Sequence, residues 1–306
     1  MLIDTDTASD DAVALVMALR DPDVTVEAIT VVAGNVPLDQ AVQNALYTVE
    51  LCGAEVPVYA GAAEPMMRDL RTAQTVHGAD GMGDIGLPVS GRTPAAGAAP
   101  KVIIDAVRSH PGDLTIVALG PLTNLAIAVL WAPEIASMVR RVVVMGGTGL
   151  NGPGNVTPSA EFNFWVDPEA VRVVLRSGLP LELVGWDISI ASAVVTPPRE
   201  AEIRAIGSPF SSFSLDIQAV LATYANSETE LAGPDLPDPI AMAHAIDPSV
   251  ATTRRVAVDI AIGPPPMAGA LIVDRFGFTD EPVNATVVTD YPEDHFFTML
   301  MDRLRV

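Results

Sequence analysis

Basic residues are scarce in this chain: 17 Lys and Arg stand against 38 Asp and Glu, a formal net charge of −21, and the only lysine is Lys101. Nucleic acids and anionic membranes are bound through clustered Lys and Arg, so neither is expected as a partner. Cysteine is almost absent. Cys52 stands alone, which rules out an internal disulfide. With no basic segment and apolar core of the signal-peptide kind at the N-terminus, a cytoplasmic protein is expected. Long apolar runs are missing too, since nothing approaches the ~20 uninterrupted residues that span a bilayer. No internal repeat or low-complexity linker divides the chain. What remains is 306 residues, 49% hydrophobic, ample for one large α/β core, and a single domain over residues 1–306 is expected.

The acidic residues are not spread evenly. The first fifteen residues, Met1 to Leu15, join a short apolar strand to a helix and place Asp4, Asp6, Asp10 and Asp11 at the junction. Alternate side chains of an extended segment share a face, so Asp4 and Asp6 point the same way. Ser9 reads as an N-cap with Asp10 and Asp11 in the first turn, and Ala12, Leu15, Val16 and Leu19 form the buried stripe of an amphipathic helix. Acidic residues in a first turn ordinarily just complement the helix dipole. Four carboxylates converging on one strand end, however, repel one another, and a bound cation is the simplest compensation. A site made only of oxygens suits Ca²⁺ or Mg²⁺ rather than zinc.

Further along, Val24 to Val32 is a β-branched strand ending in Ala33-Gly34-Asn35. Asn35 therefore sits at a strand's carboxyl end, where ligands bind in an open parallel sheet, although Asn is also an ordinary turn residue. Residues 60–98, rich in Gly, Ala and Pro, read as a long loop carrying His77. Leu114 to Leu119 is a strand followed by Gly120-Pro121-Leu122-Thr123-Asn124, whose Thr and Asn are by default helix caps. Arg141 to Met145 is a strand opening into a glycine-rich loop that runs through Asn155. If residues 161–165 are extended, Glu161, Asn163 and Trp165 share a face, and the absence of a basic partner favours a neutral polyol over phosphate. Leu181 to Val184 is a strand, and no role is assignable to Gly185-Trp186-Asp187 after it. Residues 197–226 read as helical, with Tyr224 near the end, and 227–236 as loop. Asp238-Pro239 opens the helix Ile240 to Ala245, a routine Asp N-cap with Pro at N1 that recurs at Asp21, Asp167 and Asp247. Val256–Ile262, Ala270–Val273 and Ala285–Val288 read as strands before a C-terminal helix.

Two families share the strand with Asp-x-Asp. The haloacid-dehalogenase-type phosphatases would use Asp4 as nucleophile with Mg²⁺ and a lysine on the phosphoryl group, but Lys101 heads an apolar helical pattern instead. The fuller pattern Asp4-x-Asp6-x-x-x-Asp10-Asp11 resembles the inosine-uridine preferring nucleoside hydrolases. So do Gly34-Asn35, Val76-His77-Gly78, Leu122-Thr123-Asn124, Met145-Gly146-Gly147, Gly154-Asn155 and Glu161-Phe162-Asn163, and the resemblance covers most of the chain.

That resemblance implies an α/β fold with an open, mostly parallel Rossmann-like sheet flanked by helices. It implies calcium-dependent hydrolysis of the N-glycosidic bond of ribonucleosides, with Ca²⁺ held by Asp6, Asp11, Asp238 and the backbone carbonyl of Thr123, and with Asp10 as general base. Asn35, Met145, Asn155, Glu161 and Asn163 would surround the ribose; His77, Trp165 and Tyr224 would be candidates for contact with the base. A homodimer or homotetramer is expected from the same source. The chain departs from the family at Pro237, where many members carry a histidine that protonates the leaving base. His77 and Tyr224 are then the candidate acids, or stacking on Trp165 assists departure. A non-catalytic, calcium-dependent nucleoside-binding protein is the remaining alternative.

Overall fold

In the computed structural model, which describes residues 1–150, 152–229 and 231–305, the short apolar runs of the sequence become strands. These are Leu2–Thr5 (β1), Ala28–Val31 (β2), Val58–Ala60 (β3), Thr115–Ala118 (β4), Arg141–Met145 (β5), Leu181–Val184 (β6), Thr252–Ile260 (β7), Leu271–Asp274 (β8) and Ala285–Asp290 (β9). They form one sheet in the order β3-β2-β1-β4-β5-β6-β9-β7-β8. Pairing is parallel from β3 to β9, and only β7 runs antiparallel to its neighbours β9 and β8. The sheet is thus mostly parallel, as expected. Its central strands are covered by helices on both faces, which is why they read as continuous rather than alternating hydrophobic runs.

The order of the first six strands positions everything that follows. The chain winds outward from β1 to β3, then returns past β1 to lay down β4 on its other side. The loops leaving β1 and β4 therefore diverge, and a crevice opens at their carboxyl ends. Helices Ser9–Arg20, Leu38–Leu51, Pro237–Ile246 and Glu293–Leu304 cover one face of the sheet, and Ala99–Ser109, Thr123–Trp131 and Pro168–Leu175 the other. Among the described residues no helix is long and apolar enough to cross a membrane.

Several local expectations are corrected. The helix Ser9–Arg20 is not amphipathic: every residue from Ser9 to Ala18 is buried, because the helices Leu38–Leu51, Pro237–Ile246 and Glu293–Leu304 enclose it. Ser9 is its first helical residue rather than its N-cap, a position held by Ala8. β2 starts at Ala28, not Val24, because its partner β1 starts at Leu2; Thr25 and Glu27 meet Met1 through single bonds outside the ladder. Residues 161–165 are not extended. Glu161 caps a short helix, Phe162–Val166, its carboxylate accepting the N–H groups of Asn163 and Phe164. The stretch 197–226 breaks into three helices, Pro197–Arg204, Pro209–Asp216 and Ala219–Glu228.

The ring of Phe164 is completely buried and lies so close to the loop after β5 that a Cβ at Gly146 would sit 2.3 Å from it. Removing such a ring typically costs about 3–5 kcal/mol. Phe164→Ala should lower unfolding free energy by about that amount in urea titrations; a loss under about 1 kcal/mol would show that the glycine loop does not depend on this packing.

Candidate active site

Asp6 lies just past the end of β1 and is completely buried. It is gripped between the loops that follow β2 and β4. A Cβ at Gly34 would sit 2.1 Å from its Oδ2, and one at Gly120 2.6 Å from its Oδ1, so both positions need glycine for backbone to approach this closely. The Asn35 N–H donates to Asp6 Oδ2 at 2.6 Å. Asp10 and Asp11 enter from the first turn of the helix Ser9–Arg20, and Asp11 is fixed by the Thr5 hydroxyl and by the Ala8 N–H at 2.9 Å. Asp238 enters from the first turn of Pro237–Ile246, whose N-cap is Leu236. It is a residue inside that turn and not the N-cap expected of an Asp-Pro pair. Carboxylate oxygens of Asp10, Asp11 and Asp238 lie within 4.8 Å of one another, with Asp6 close enough to act on them electrostatically.

Among the described residues no cationic side chain neutralises this group. Burial, followed for Asp6 and Asp238 chiefly by the charge of Asp11, holds those two carboxyls well above the ordinary range. Burial alone is the main cause for Asp10, pushed up to about 7, and for Asp11, pushed up to about 6 with the Asp10 charge adding to it. Asp6 Oδ1 and Asp10 Oδ1 are buried without a hydrogen-bond partner. Buried, unpartnered oxygens and an all-oxygen donor set fit a hard divalent cation. Thr123 begins the helix after β4, on the same crevice, and its hydroxyl donates to Asp167 Oδ2 at 2.7 Å. Asp10 stands as near the expected ligands as they do to each other, so proximity does not separate base from ligand.

Asp4 is set apart from the cluster in the sheet interior. It accepts from Thr30 Oγ1 at 2.6 Å and Asn124 Nδ2 at 2.8 Å, and burial raises it to about 7. Lys101 is an exposed residue paired with Asp105 at 2.6 Å. Neither is placed for acyl-phosphate chemistry.

A cavity opens over the cluster. Asp10, Asp238, Asn35, Met145, Asn155, Glu161 and Asn163 all line it, and so do His77 and Tyr224. Glu161 is immobilised by the Gly147 and Asn163 N–H groups, each at 2.8 Å, and burial lifts it to about 7. Asn163 Nδ2 donates to the Leu119 carbonyl at 2.7 Å, and Asn155 Oδ1 accepts the Phe162 N–H at 2.9 Å. His77, expected on a loop, ends the short helix Gln74–His77 and is buried. Its Nδ1 is 2.9 Å from Ser9 Oγ and 3.7 Å from Asp10 Oδ1. Because burial pushes the ring down to about 4, the Asp10 contact involves a neutral imidazole and is not an ion pair at neutral pH.

Trp165 is not brought to this cavity. The helix Phe162–Val166 turns it away from Asn163, and its backbone packs against Gly269 instead. Two residues without an assigned role are brought in: Trp186 and Asp235 both line the cavity, joined by a 2.8 Å bond from Trp186 Nε1 to Asp235 Oδ2. The position of Trp186 just past the carboxyl end of β6 is the same signal that singled out Asn35. For Asp235 the sequence holds no comparable signal.

The family model described as inosine-uridine preferring nucleoside hydrolase matches residues 1–298. A pyrimidine-specific ribonucleoside hydrolase RihB of Escherichia coli is 35% identical over 306 residues, 100% of this chain and 96% of the relative. The solved purine-preferring ribonucleoside hydrolase from Gardnerella vaginalis superposes with a TM-score of 0.91 at 32% identity, covering 99% of this chain and 97% of its own. A plant nucleoside hydrolase, PpNRh1, gives 0.93 at 32% identity, covering 100% and 98%.

The electrostatics of the cluster carry a stability prediction. With carboxyls raised to about 6 to 7 in the folded chain and near 4 when unfolded, the folded chain holds more protons between those limits. Stability of the metal-free protein should therefore fall as pH rises from about 4 through about 7. A divalent cation binds the ionised cluster of the folded state only and should reverse this, adding about 2.7 kcal/mol at a hundredfold excess over Kd. Asp238→Asn should raise the metal-free Tm at about pH 7.5 and abolish the metal-dependent increment. Thermal unfolding with and without chelator reads both; a wild-type Tm indifferent to divalent cations would remove the metal from this site.

Proposed function

We propose, for a chain that belongs to the inosine-uridine preferring nucleoside hydrolase family, a calcium-dependent mechanism in which Asp10 is the general base. The enzyme hydrolyses the N-glycosidic bond of ribonucleosides, giving ribose and free base. The observation that carries the mechanism is the buried carboxylate group facing a polar cavity, with Asp6 Oδ1 and Asp10 Oδ1 unpartnered. Asp6, Asp11, Asp238 and the Thr123 carbonyl would hold Ca²⁺. When bound, that ion supplies positive charge to the cluster, a seat for the ribose 2′- and 3′-hydroxyls, and a lowered pKa for the attacking water.

The chain's own groups then divide the work. Asp10 takes the proton of the attacking water. Glu161, its orientation fixed by backbone N–H groups, and the carboxylates beneath the sugar stabilise positive charge as the ring acquires oxocarbenium character. Asn35, Met145, Asn155 and Asn163 orient the ribose. His77 and Tyr224 flank the base, and Trp186 offers the aromatic surface that Trp165 does not. Relatives include both pyrimidine-specific and purine-preferring enzymes, so the base accepted by this chain is read from a ribonucleoside panel scored by ribose release. Exposed Leu130, Trp131, Phe276 and Phe278 are apolar surface suited to a homodimer or homotetramer.

Asp10→Asn should lower kcat by about 10²- to 10⁴-fold while keeping the calcium-dependent Tm increment. Near-normal turnover would sink Asp10 as base; loss of the increment would make it a ligand instead. In chelated wild-type enzyme, calcium should restore ribose release better than zinc because every proposed donor is oxygen. Full activity without added metal, or better rescue by zinc, would refute the calcium assignment.

A further inference from the structure

Breaking an N-glycosidic bond sends an electron pair to the base, which departs poorly unless a proton arrives with it. The residue before Asp238 is Pro237, which lines the cavity but carries no acidic proton. His77 is held neutral by burial and engaged at Nδ1 with Ser9 Oγ. A different acid lines the same cavity, held in a way the rest of the mechanism does not use.

Asp235 is anchored by its backbone. It bridges to Val194, and the flanking bonds Val195 N–H to Pro234 O and Leu236 N–H to Ala193 O are 2.8 and 3.1 Å. Its side chain is oriented from the helix Trp186–Ser192: Trp186 Nε1 and Ser189 Oγ donate to the same oxygen, Oδ2, at 2.8 and 2.6 Å. With both donors on Oδ2, Oδ1 is the oxygen left for a ligand in the cavity. Asp235 is 7% exposed, and burial raises its carboxyl above the ordinary range. The titratable groups sharing the cavity are Asp10, Asp238, Glu161, Tyr224 and His77, and burial outweighs the Ser189 and Trp186 donors, which act to lower the Asp235 carboxyl.

Building on the nucleoside hydrolase mechanism above, we propose that Asp235 is the catalytic residue that delivers the proton to the departing base, with Trp186 and Ser189 as its positioning residues. The Oδ1–H bond breaks and its proton passes to a nitrogen or exocyclic oxygen of the base, while the C1′–N bond breaks and its electron pair leaves with the base. Water adds hydroxyl to C1′ and its other proton goes to Asp10. Asp235 ends ionised and Asp10 protonated, and one proton passing between them through solvent restores both. The chain thereby replaces a side chain next to the last metal carboxylate with one three residues earlier.

The test is Asp235→Asn, which keeps an acceptor for Trp186 and Ser189 but has no proton to give. Kinetics are compared on uridine, inosine and p-nitrophenyl riboside, whose leaving group needs no acid. The expected result is a kcat loss of about 10²- to 10⁴-fold on the nucleosides, with turnover of the activated substrate unchanged. Ser189→Ala should lower kcat on nucleosides by less, with the same sparing of the activated substrate. An equal loss on both substrates, or no loss on nucleosides, would overturn the assignment, and a retained calcium-dependent Tm increment in the variant certifies its fold. Failure of the underlying mechanism is separable, because it appears in wild-type enzyme as no ribose released from any nucleoside.

Discussion

The structure depends on a repulsion that the fold itself imposes. Parallel winding outward from β1 and back to β4 leaves one crevice, and the chain fills it with carboxylates, of which Asp6 is pressed between two glycines. At an effective dielectric near 20, two such charges 4 Å apart oppose each other by about 4 kcal/mol. The fold tolerates them only protonated or joined by a cation. Much of the surrounding architecture keeps these groups in place despite that cost: the helix Ser9–Arg20 is enclosed through Ala18, and Asp11 is tied to Thr5 and Ala8. A helix free on one face would have room to rotate its acidic turn toward water. Enclosure removes that escape.

Behind the crevice, neutral and charged hydrogen bonds join loops that the sheet alone would leave independent. Asn124 donates to Asp4 and to the Val31 carbonyl and accepts the Ala62 N–H, linking the ends of β1, β2 and β3. Asp167 does the same on the other side: it caps the helix Pro168–Leu175 and receives the Thr123 hydroxyl and the Met66 N–H. Because these bonds are largely buried, the loops are held by contacts costly to break singly. Rigid loops matter to a reaction whose electrostatic stabilisation must be in place before charge develops.

Legibility in the sequence followed the range of the interaction that fixed each feature. Strands buried on both faces announce themselves as apolar runs, and Arg141–Met145 and Leu181–Val184 were readable to the residue. The acidic junction was readable because a density of like charge at a strand end has few physical explanations. Trp186 lines the cavity and Trp165 does not, and one local event decides it. Glu161 folds back on two backbone N–H groups and makes a helical turn, which breaks the alternation of an extended segment. Asp235 was invisible for a different reason: its partners Trp186 and Ser189 lie 49 and 46 residues away, and no period or cap relates them.

The four Asp-Pro pairs make the same point within one motif. Each begins or ends a helical segment, as the dipeptide's backbone preferences dictate, yet the four carboxylates meet different fates. Asp21 pairs with Arg303 at 2.6 Å. Asp247 accepts the Ser249 N–H and hydroxyl at 3.0 and 2.6 Å. Asp167 caps its helix and collects two distant donors. Asp238 makes no cap and faces three other acids. A cap needs only an N–H two or three residues onward, which every helix start offers, so a carboxylate left without one must be held away by its surroundings. In Asp238 those surroundings are themselves anionic, which makes the unmade cap, more than the dipeptide, the feature that separates a chemical site from a structural device.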